Sequence, residues 1–258
     1  MPTLRELLDV AIDAAYLGGK RTLAYFNNAD TLVETKSDQT PVTQADREAE
    51  QVIRDRIARS FPTHSVLGEE TGSTDGDPDY TWIIDPLDGT KSFIHGVPLY
   101  GTLIGVEVKG QPSVGVVYLP ALDEMLYAAT GLGCRWNGRV ARVSNVDRIE
   151  DATISCTSIS RAIARSDAFE RLTRNAKLVR GWSDCYGYVL VATGRIDVML
   201  DPAMNVWDCA PLLPILEEAG GHFTDWTGAA MIRGADAVAT NAALHQQVIA
   251  TLKAEKRK

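Results

Sequence analysis

Cysteine, long apolar runs and clustered basic residues are all scarce in this 258-residue sequence. The four cysteines lie far apart and form no CxxC pair, so neither a zinc site nor a disulfide framework is indicated, and buried free thiols are expected. No segment approaches the roughly 18 consecutive apolar residues of a membrane-spanning helix. These absences leave an ordinary globular protein with no membrane partner as the expectation.

The charge balance is acidic, with a formal net charge of −8. The chain has no Lys/Arg cluster that could release counterions from a nucleic acid, and the C-terminal "KAEKRK" is interpreted as a frayed tail. The N-terminal "MPTLRELLDVAIDAA" mixes charge into a helical pattern instead of showing a basic start and an apolar block. We therefore expect a cytoplasmic protein without a nucleic-acid partner, in which an anionic ligand would need cations.

Two segments in the first quarter of the chain, residues 4–26 and 44–60, carry apolar residues at helical spacing. Each is preceded by a threonine at capping-box spacing from an acidic residue, Thr3 with Glu6 and Thr43 with Asp46. Both segments are therefore predicted to be helices.

The rest of the chain predicts mixed sheets covered by helices. The strand segments are YTWII, GTLIGVEV, SVGVVYL, EMLYAAT, ATISCTS, KLVRGW, IDVMLD and DAVATN. The helical segments are DAFERLTRNA, CYGYVLVATG, WDCAPLLPILEEAGG and AALHQQVIATLKAEKR, of which the third should kink at Pro214. This pattern indicates an α/β or α+β fold, with an N-terminal half over residues 1–140 and a C-terminal half over residues 141–258 in one compact unit.

The segment "WIIDPLDGTKSF" places two like charges where a buried strand should end. Pro86 is expected to stop the strand, so Asp85 and Asp88 could reach a common point one turn apart. Two carboxylates this close would raise each other's pKa unless a cation lies between them. Oxygen ligands favour Mg²⁺ or Mn²⁺ over zinc, and Glu69, in "LGEE", could join them from an adjoining strand end.

Backbone N–H groups at the end of this segment could bind an anion. Gly89 lets the backbone approach closely, and the amides of Gly89, Thr90 and Lys91 would point at a ligand if a helix begins there. A cation beside such a group of amides suggests a phosphate ligand.

Local structural roles explain the same acidic residues one at a time. "DPLDG" is also a common turn sequence, and Asp46 could simply complete its capping box. Asp208 could be the N-cap of a helix over residues 209–219. The presence of all these residues with "GEE" in one chain favours a shared site.

Long segments of the chain closely resemble the signatures of the inositol monophosphatase family, Mg²⁺-dependent and lithium-sensitive phosphomonoesterases. They are "LGEE" (67–70), "WIIDPLDGTKSFIHG" (82–96) and "WDCAPLLPILEEAGG" (207–221), while "KSDQTPVTQAD" (36–46) is similar to that family's upstream loop and helix start. The resemblance spans about residues 4 to 245. It implies the layered α-β-α-β-α sandwich of that superfamily and a homodimer.

The resemblance also assigns roles to individual residues. It implies that Glu69, Asp85 and the Leu87 carbonyl hold a first metal, that Asp85, Asp88 and Asp208 hold a second, and that Glu69 helps with a weaker third. It further implies that Thr90 and Asp46 activate water and that the amides of Gly89 and Thr90 meet the phosphate. The expected reaction is phosphate-ester hydrolysis by a metal-activated water, without a covalent phosphoenzyme.

The expected substrate is L-histidinol phosphate, because two segments are more similar to the histidinol-phosphate phosphatase branch of the family. They are residues 88–106 and 181–201, and the second carries Asp184 where inositol enzymes usually have small residues. A carboxylate suits the cationic amine of histidinol phosphate, so Ser183, Asp184 and Asp201 are predicted to bind the substrate.

Several alternatives remain open at this stage. Asp184 could cap a helix that starts at Cys185. The enzyme could be an inositol-1-phosphate phosphatase or a promiscuous sugar-phosphate phosphatase. A non-catalytic regulator with the same fold should lack a metal ligand or Thr90, and the sequence lacks neither.

Overall fold

A computed structural model describes residues 1–28, 33–35 and 41–253 of the chain. The helices are α1 (Leu4–Thr22), α2 (Gln44–Ser60), α3 (Thr90–Ile94), α4 (Ile159–Arg165), α5 (Ala168–Thr173), α6 (Asp184–Ala192), α7 (Val206–Cys209), α8 (Leu212–Glu218) and α9 (His245–Lys253). The strands are β1 (Val33–Thr35), β2 (Pro41–Thr43), β3 (His64–Gly68), β4 (Gly72–Thr74), β5 (Asp77–Asp88), β6 (Gly101–Val108), β7 (Gln111–Leu119), β8 (Glu124–Ala129), β9 (Gly133–Trp136), β10 (Arg139–Val140), β11 (Thr153–Cys156), β12 (Leu178–Arg180), β13 (Val198–Asp201), β14 (Gly221–Thr224) and β15 (Ala237–Asn241). Residues 36–40, from the segment 36–46 that resembles the family's upstream loop, lie outside the described residues, as do residues 254–258 of the basic tail.

Both predicted capping boxes form at the starts of α1 and α2. The Thr3 N–H donates to Glu6 Oε2 at 2.7 Å, and the Thr43 N–H donates to Asp46 Oδ2 at 2.8 Å. The helix predicted over residues 44–60 is confirmed. The first helix ends at residue 22 and not at residue 26 as predicted, because residues 23–27 tighten into turns.

The strands form two large sheets and one small one. An eight-stranded sheet has the order β10-β9-β8-β7-β6-β5-β3-β4, and a five-stranded sheet has the order β12-β11-β13-β15-β14. From β5 to β10 each strand runs antiparallel to the next, whereas β3 is parallel to β5, and β11 is parallel to both β12 and β13. Strands β1 and β2 pair separately.

Three hydrophobic clusters separate the layers of the fold. The first joins α1 and α2 to one face of the eight-stranded sheet, through residues such as Leu7, Ile53 and Trp82. The second lies between the two sheets and contains α6 and α8, and the third joins α4, α5 and α9 to the outer face of the five-stranded sheet. The layered α-β-α-β-α sandwich is thus confirmed. The division into two domains at residue 140 stays a prediction.

Pro86 does not end strand β5, contrary to the sequence-based expectation. The strand continues to Asp88, and its pairing with β6 passes from Asp85–Leu103 to Asp88–Gly101 with one extra residue on β5. A proline is tolerated at such a bulge because the ladder needs no N–H there.

The predicted helix around Asp208 is interrupted at Pro211, and the expected kink at Pro214 is wrong. Helices α7 and α8 meet at this break. Pro214 is the third residue of α8, where a backbone N–H has no partner within the helix and a proline costs little.

Several short elements were missed by the sequence analysis, including α4, β9, β10 and β14. Each has at most seven residues, too few for a periodic pattern to stand out. Among the described residues, no helix is both long and apolar enough to cross a bilayer.

Candidate active site

Alternation along β5 directs Asp85 toward the middle helical layer. Trp82 and Ile84 belong to the cluster under α1 and α2, whereas Ile83 belongs to the cluster between the sheets. Side chains two residues apart share a face, so Asp85 faces the same way as Ile83. The Leu87 N–H donates to Asp85 Oδ1 at 3.0 Å, so the turn chemistry suggested by "DPLDG" is also present.

Asp208 reaches the same place from α7. Its carboxylate completes a capping box, because Oδ2 accepts the Asn205 N–H at 2.7 Å. Asp208 is therefore the third residue of a helix that starts at Val206, and it is not the N-cap that the sequence left open.

Three carboxylates meet between the two sheets. One oxygen from each of Asp85, Asp88 and Asp208 lies within 4.8 Å of the others, an arrangement that could hold a metal ion. Burial is the main cause that raises the pKa of Asp85 and Asp88, followed by repulsion from neighbouring carboxylates, and burial also raises the pKa of Asp208 to about 6. Asp85 is buried and Asp88 and Asp208 are half-buried, and such a group of acids with only oxygen donors fits a hard divalent cation.

Glu69 lies beside this trio without being one of the three residues that meet within 4.8 Å. Its backbone N–H donates to the Ile84 carbonyl at 3.1 Å, which fixes it next to the end of β5. Its carboxyl contacts that of Asp85 and adds to the rise in the pKa of Asp85.

Gly89 and Thr90 form the junction between β5 and α3. Gly89 has φ +84°, a left-handed conformation that disfavours other residues, and it precedes the first residue of α3. The Thr90 hydroxyl donates to the Leu87 carbonyl at 3.2 Å. The expected helix start after Gly89 is therefore present, although α3 has only five residues.

Asp46 is buried at the start of α2. Burial raises its pKa to about 6, and Glu69 adds to the rise, while bonds from the N–H and hydroxyl of Thr43 oppose it. In the described part of the chain no hydrogen bond joins Asp46 to Thr90, so their pairing stays a prediction.

A cavity of about 180 Å³ opens beside the carboxylate trio. Its lining includes most of the residues predicted for metal, phosphate and substrate: Asp88, Gly89, Thr90, Asp184, Asp201 and Asp208. Two cationic side chains, Lys91 and Arg161, also line it. The fold thus brings the N-terminal and C-terminal candidates to one opening.

Asp184 lies on the cavity wall next to α3. Its Oδ2 atom accepts the hydroxyls of Ser183 at 3.0 Å and Ser92 at 3.3 Å, and burial raises its pKa. Its φ of +53° is uncommon for a residue with a side chain, and such conformations cluster at functional sites. Asp184 is the first residue of α6, and its carboxylate bonds these two hydroxyls and no N–H of that helix among the hydrogen bonds of the described residues, so it does not act as the side-chain cap of α6.

Asp201 ends β13 and is held by neighbouring hydroxyls. Tyr188 Oη donates to Asp201 Oδ2 at 2.9 Å, and the Thr157 hydroxyl also bonds this carboxylate. Burial raises the pKa of Asp201 well above its ordinary value.

The sequence analysis missed two kinds of residue around the site. Thr157 and Arg161 line the cavity from a segment without a recognisable motif, whereas Tyr188 lies within residues 181–201, where the resemblance singles out Asp184 and not the tyrosine. Glu50 is fully buried beneath residues 69–71, the turn between β3 and β4 that we call the Glu69 turn. The sequence does carry a signal for Glu50, because a charged residue four positions after Asp46 falls on the apolar face of α2.

The chain is similar in sequence to several known proteins. A family model described as the inositol monophosphatase family matches residues 3–257. The chain is 42% identical over 248 residues to the histidinol-phosphatase of Chlorobaculum parvum, and the alignment covers 95% of this chain and 96% of that protein. It is 40% identical over 255 residues to the histidinol-phosphatase of Mycobacterium tuberculosis, and this alignment covers 96% of this chain and 98% of that protein.

A solved structure shows the same fold. The extragenic suppressor protein suhB from Bartonella henselae superposes with a TM-score of 0.91 at 28% identity, over 97% of this chain and 100% of that one.

Proposed function

Because the chain belongs to the inositol monophosphatase family, we propose that it is a Mg²⁺-dependent phosphomonoesterase that hydrolyses L-histidinol phosphate to L-histidinol and phosphate. The carboxylate trio of Asp85, Asp88 and Asp208 at one end of an acidic cavity is the observation that carries this proposal. The two histidinol-phosphatases at 42% and 40% identity support the choice of substrate.

The proposed metal ligands are the carboxylates of Glu69, Asp85, Asp88 and Asp208 and the carbonyl of Leu87, holding two or three Mg²⁺ ions, with Mn²⁺ as an alternative. Bound divalent cations lower the pKa of water and stabilise the charge that develops on a phosphoryl group and its leaving oxygen. Without a cation, burial and mutual repulsion hold the carboxyl pKa values high. The residues therefore fit a cation that would compensate this charge.

Thr90 and Asp46 are proposed to remove a proton from the attacking water. In the structure the Thr90 hydroxyl donates to the Leu87 carbonyl, so the proposed pair requires this hydroxyl to turn toward Asp46. A carboxyl with a pKa of about 6 is well matched to proton transfer near neutral pH. The amides of Gly89 and Thr90 are proposed to orient the phosphate.

Asp184 is the residue that we propose binds the substrate amine. The cavity lining contains the four carboxylates of Asp88, Asp184, Asp201 and Asp208 against two cationic side chains. Cations at the metal ligands would offset the trio, which leaves the negative charge of Asp184 for a cationic group on the leaving alcohol. We propose that Ser183 orients Asp184, and that Asp201 contributes to the imidazole side from its bonds with Tyr188 and Thr157.

The remaining parts of the proposal rest on the resemblance to the family. We propose that the protein acts in histidine biosynthesis as a cytoplasmic, lithium-sensitive homodimer whose partner is a small phosphate monoester.

Steady-state phosphate release with Mg²⁺ from three esters tests the substrate: L-histidinol phosphate, inositol 1-phosphate and fructose 1,6-bisphosphate. We expect kcat/KM to be highest for histidinol phosphate. A value for inositol 1-phosphate that equals or exceeds it would reject the proposed substrate in favour of an inositol phosphatase. No release from any ester would favour a non-catalytic regulator.

Asp184→Asn provides the sharper version of this experiment. Loss of a hydrogen bond to a charged group costs about 1.5–3 kcal/mol, so kcat/KM for histidinol phosphate should fall roughly 10- to 100-fold. The value for inositol 1-phosphate should hold or rise, because a negative charge near the phosphate is removed. Asp147→Asn, an exposed aspartate in the same half, is the matched control. Equal losses on both esters would contradict the role of Asp184.

A further inference from the structure

Glu50 is a carboxylate buried completely on α2, one helical turn after Asp46. A buried charge is costly unless it is paired and hydrogen-bonded. Arg54, four residues later on the same helix, donates from Nε to Glu50 Oε1 at 2.8 Å, and only 14% of its side chain is exposed. The four-residue spacing on one helix explains why Glu50 and Arg54 form an ion pair. It does not explain why this ion pair is buried.

The remaining bonds of this ion pair go to the turn between β3 and β4. Glu50 accepts the Glu70 N–H at 2.8 Å and the Thr71 N–H at 3.2 Å, together with the Thr71 hydroxyl. Arg54 donates to the Gly72 carbonyl at 2.5 Å and to the Thr74 hydroxyl at 3.0 Å. The ion pair thus binds both residues that follow Glu69 in this turn, Glu70 and Thr71, and two residues of β4.

The ion pair also touches the backbone immediately before Glu69. A Cβ atom placed at Gly68 would lie 2.2 Å from Glu50 Oε1 and 2.7 Å from Arg54 Nη2. No side chain fits there without displacing the pair. Glu69 is therefore held between the ion pair on one side and its own N–H bond to the Ile84 carbonyl on the other.

We propose that Glu50 and Arg54 are a positioning pair that holds the Glu69 turn in the geometry needed for cation binding, an inference that rests on the proposed function. The hydrogen bonds described for these two side chains go to each other, to the turn and to β4, and none of them goes to the carboxylate trio. Their influence passes through the backbone of residues 68–72, which fixes where the Glu69 carboxylate stands beside Asp85. The expected consequence concerns metal affinity more than the chemical step.

The test is titration of the metal-free full-length protein with Mn²⁺ by isothermal calorimetry. In Glu50→Gln the side-chain amide would face the N–H donors of Glu70 and Thr71, and the turn should move. Residues that orient metal ligands typically contribute 10- to 100-fold to affinity, so we expect the dissociation constant for Mn²⁺ to rise by about this factor. At saturating metal, kcat should return close to the wild-type value.

Glu48→Gln, a partly exposed substitution on the same helix, is the matched control and should leave the metal affinity unchanged. A purely structural role would lower the unfolding temperature in EDTA without changing the dissociation constant. A folded Glu50→Gln variant with wild-type affinity for Mn²⁺ would overturn the inference.

A second variant covers the case in which Glu50→Gln does not fold. Thr71→Val removes one exposed donor to Glu50 while the ion pair stays intact, and it should weaken Mn²⁺ binding in the same direction by a smaller factor. Unchanged affinity in Thr71→Val would then overturn the inference. Failure of the wild-type protein to bind any divalent cation would instead reject the proposed function.

Discussion

At the scale of single residues, Asp46 and Asp208 share one local arrangement. Each is the third residue of a helix, and each accepts the N–H of its N-cap residue, Thr43 or Asn205. The sequence presented capping and function as alternatives for these residues, but the two roles are compatible. A cap bond fixes the side-chain conformation of a carboxylate that also faces the site.

Asp46 makes the stability of the metal-free protein depend on pH. Its native pKa of about 6 exceeds the value of about 3.9 in an unfolded chain, so the native state binds the proton more tightly between these values. Stability contributed by this group should therefore rise as the pH falls. From Asp46 alone we expect the free energy of unfolding to increase by up to about 1 kcal/mol between about pH 7.5 and 5.5, measured by urea denaturation in EDTA as the difference between wild type and Asp46→Asn.

Asp46→Asn should reduce this pH dependence, whereas Asp55→Asn, an exposed change on the same helix, should preserve it. An identical pH dependence in wild type and Asp46→Asn would show that Asp46 has an ordinary pKa.

Thr90 should affect catalysis without affecting metal binding. General-base catalysis contributes roughly 10²- to 10⁴-fold, so Thr90→Ala should lower kcat by at least about 10²-fold. The Mn²⁺ dissociation constant should stay the same, because the Thr90 hydroxyl is not among the proposed ligands. Thr90→Ser, which keeps the hydroxyl, should retain most activity in the phosphate-release assay. Full activity in Thr90→Ala would remove this residue from the mechanism.

At the scale of elements, two facing glycines form a recess in the eight-stranded sheet. Gly105 on β6 and Gly115 on β7 are cross-strand partners. A Cβ atom at Gly105 would lie 2.6 Å from Ala210 Cβ, and one at Gly115 would lie 2.0 Å from the Pro211 carbonyl oxygen. The break between α7 and α8 therefore sits directly on the sheet, and this contact places Asp208 near the end of β5.

Gly115→Ala should disturb the site from a distance. Overpacking typically costs about 1–3 kcal/mol, and the displaced break should move Asp208 and weaken binding of Mn²⁺. Calorimetric titration and thermal unfolding measure the two effects. At Gly181 a Cβ atom would find its nearest neighbour at 3.8 Å, so Gly181→Ala is the control that should bind Mn²⁺ normally. Normal affinity in Gly115→Ala would show that Asp208 is positioned by other contacts.

The prolines show that the sequence alone does not predict where a strand or helix becomes irregular. Considered within an isolated strand or helix, Pro86 is predicted to end β5 and Pro214 to kink a helix. The bulge on β5 and the break at Pro211 depend on partners far along the chain. Local propensity predicts which residues resist regular structure, but tertiary packing decides where the irregularity falls.

At the scale of the whole molecule, the site joins two parts of the sandwich. Asp85 and Asp88 come from the eight-stranded sheet, and Asp208 follows β13 of the five-stranded sheet. The Asp88 carboxylate also accepts the backbone N–H of Cys185 on α6. Cation binding should therefore stabilise the assembly of the layers and not only a loop.

Thermal unfolding should respond to metal accordingly. A ligand at 100 times its dissociation constant stabilises the native state by about 2.7 kcal/mol, which corresponds to roughly 5–11 °C for a protein of this size. We expect this rise in Tm on adding MgCl₂ to the EDTA-treated protein, and its reversal by excess chelator. NaCl at the same ionic strength is the control. An equal shift with NaCl would indicate general screening.

The layered fold and the meeting of Asp85, Asp88 and Asp208 were predictable because long sequence segments with strong local signals carry them, and metal binding by these carboxylates stays a prediction. Glu50, Arg161 and Tyr188 were not identified, because their roles arise from contacts between segments distant in sequence. The pairing of Asp46 with Thr90 and the roles of Asp184 and Asp201 stay predictions.

Anomalous diffraction from a crystal of the Mn²⁺-loaded protein tests the central claim most directly. The account predicts an anomalous peak within coordination distance of carboxylate oxygens from Asp85, Asp88 and Asp208, and its loss in Asp88→Asn. A wild-type crystal grown with Mn²⁺ that shows no peak between these three carboxylates would contradict it.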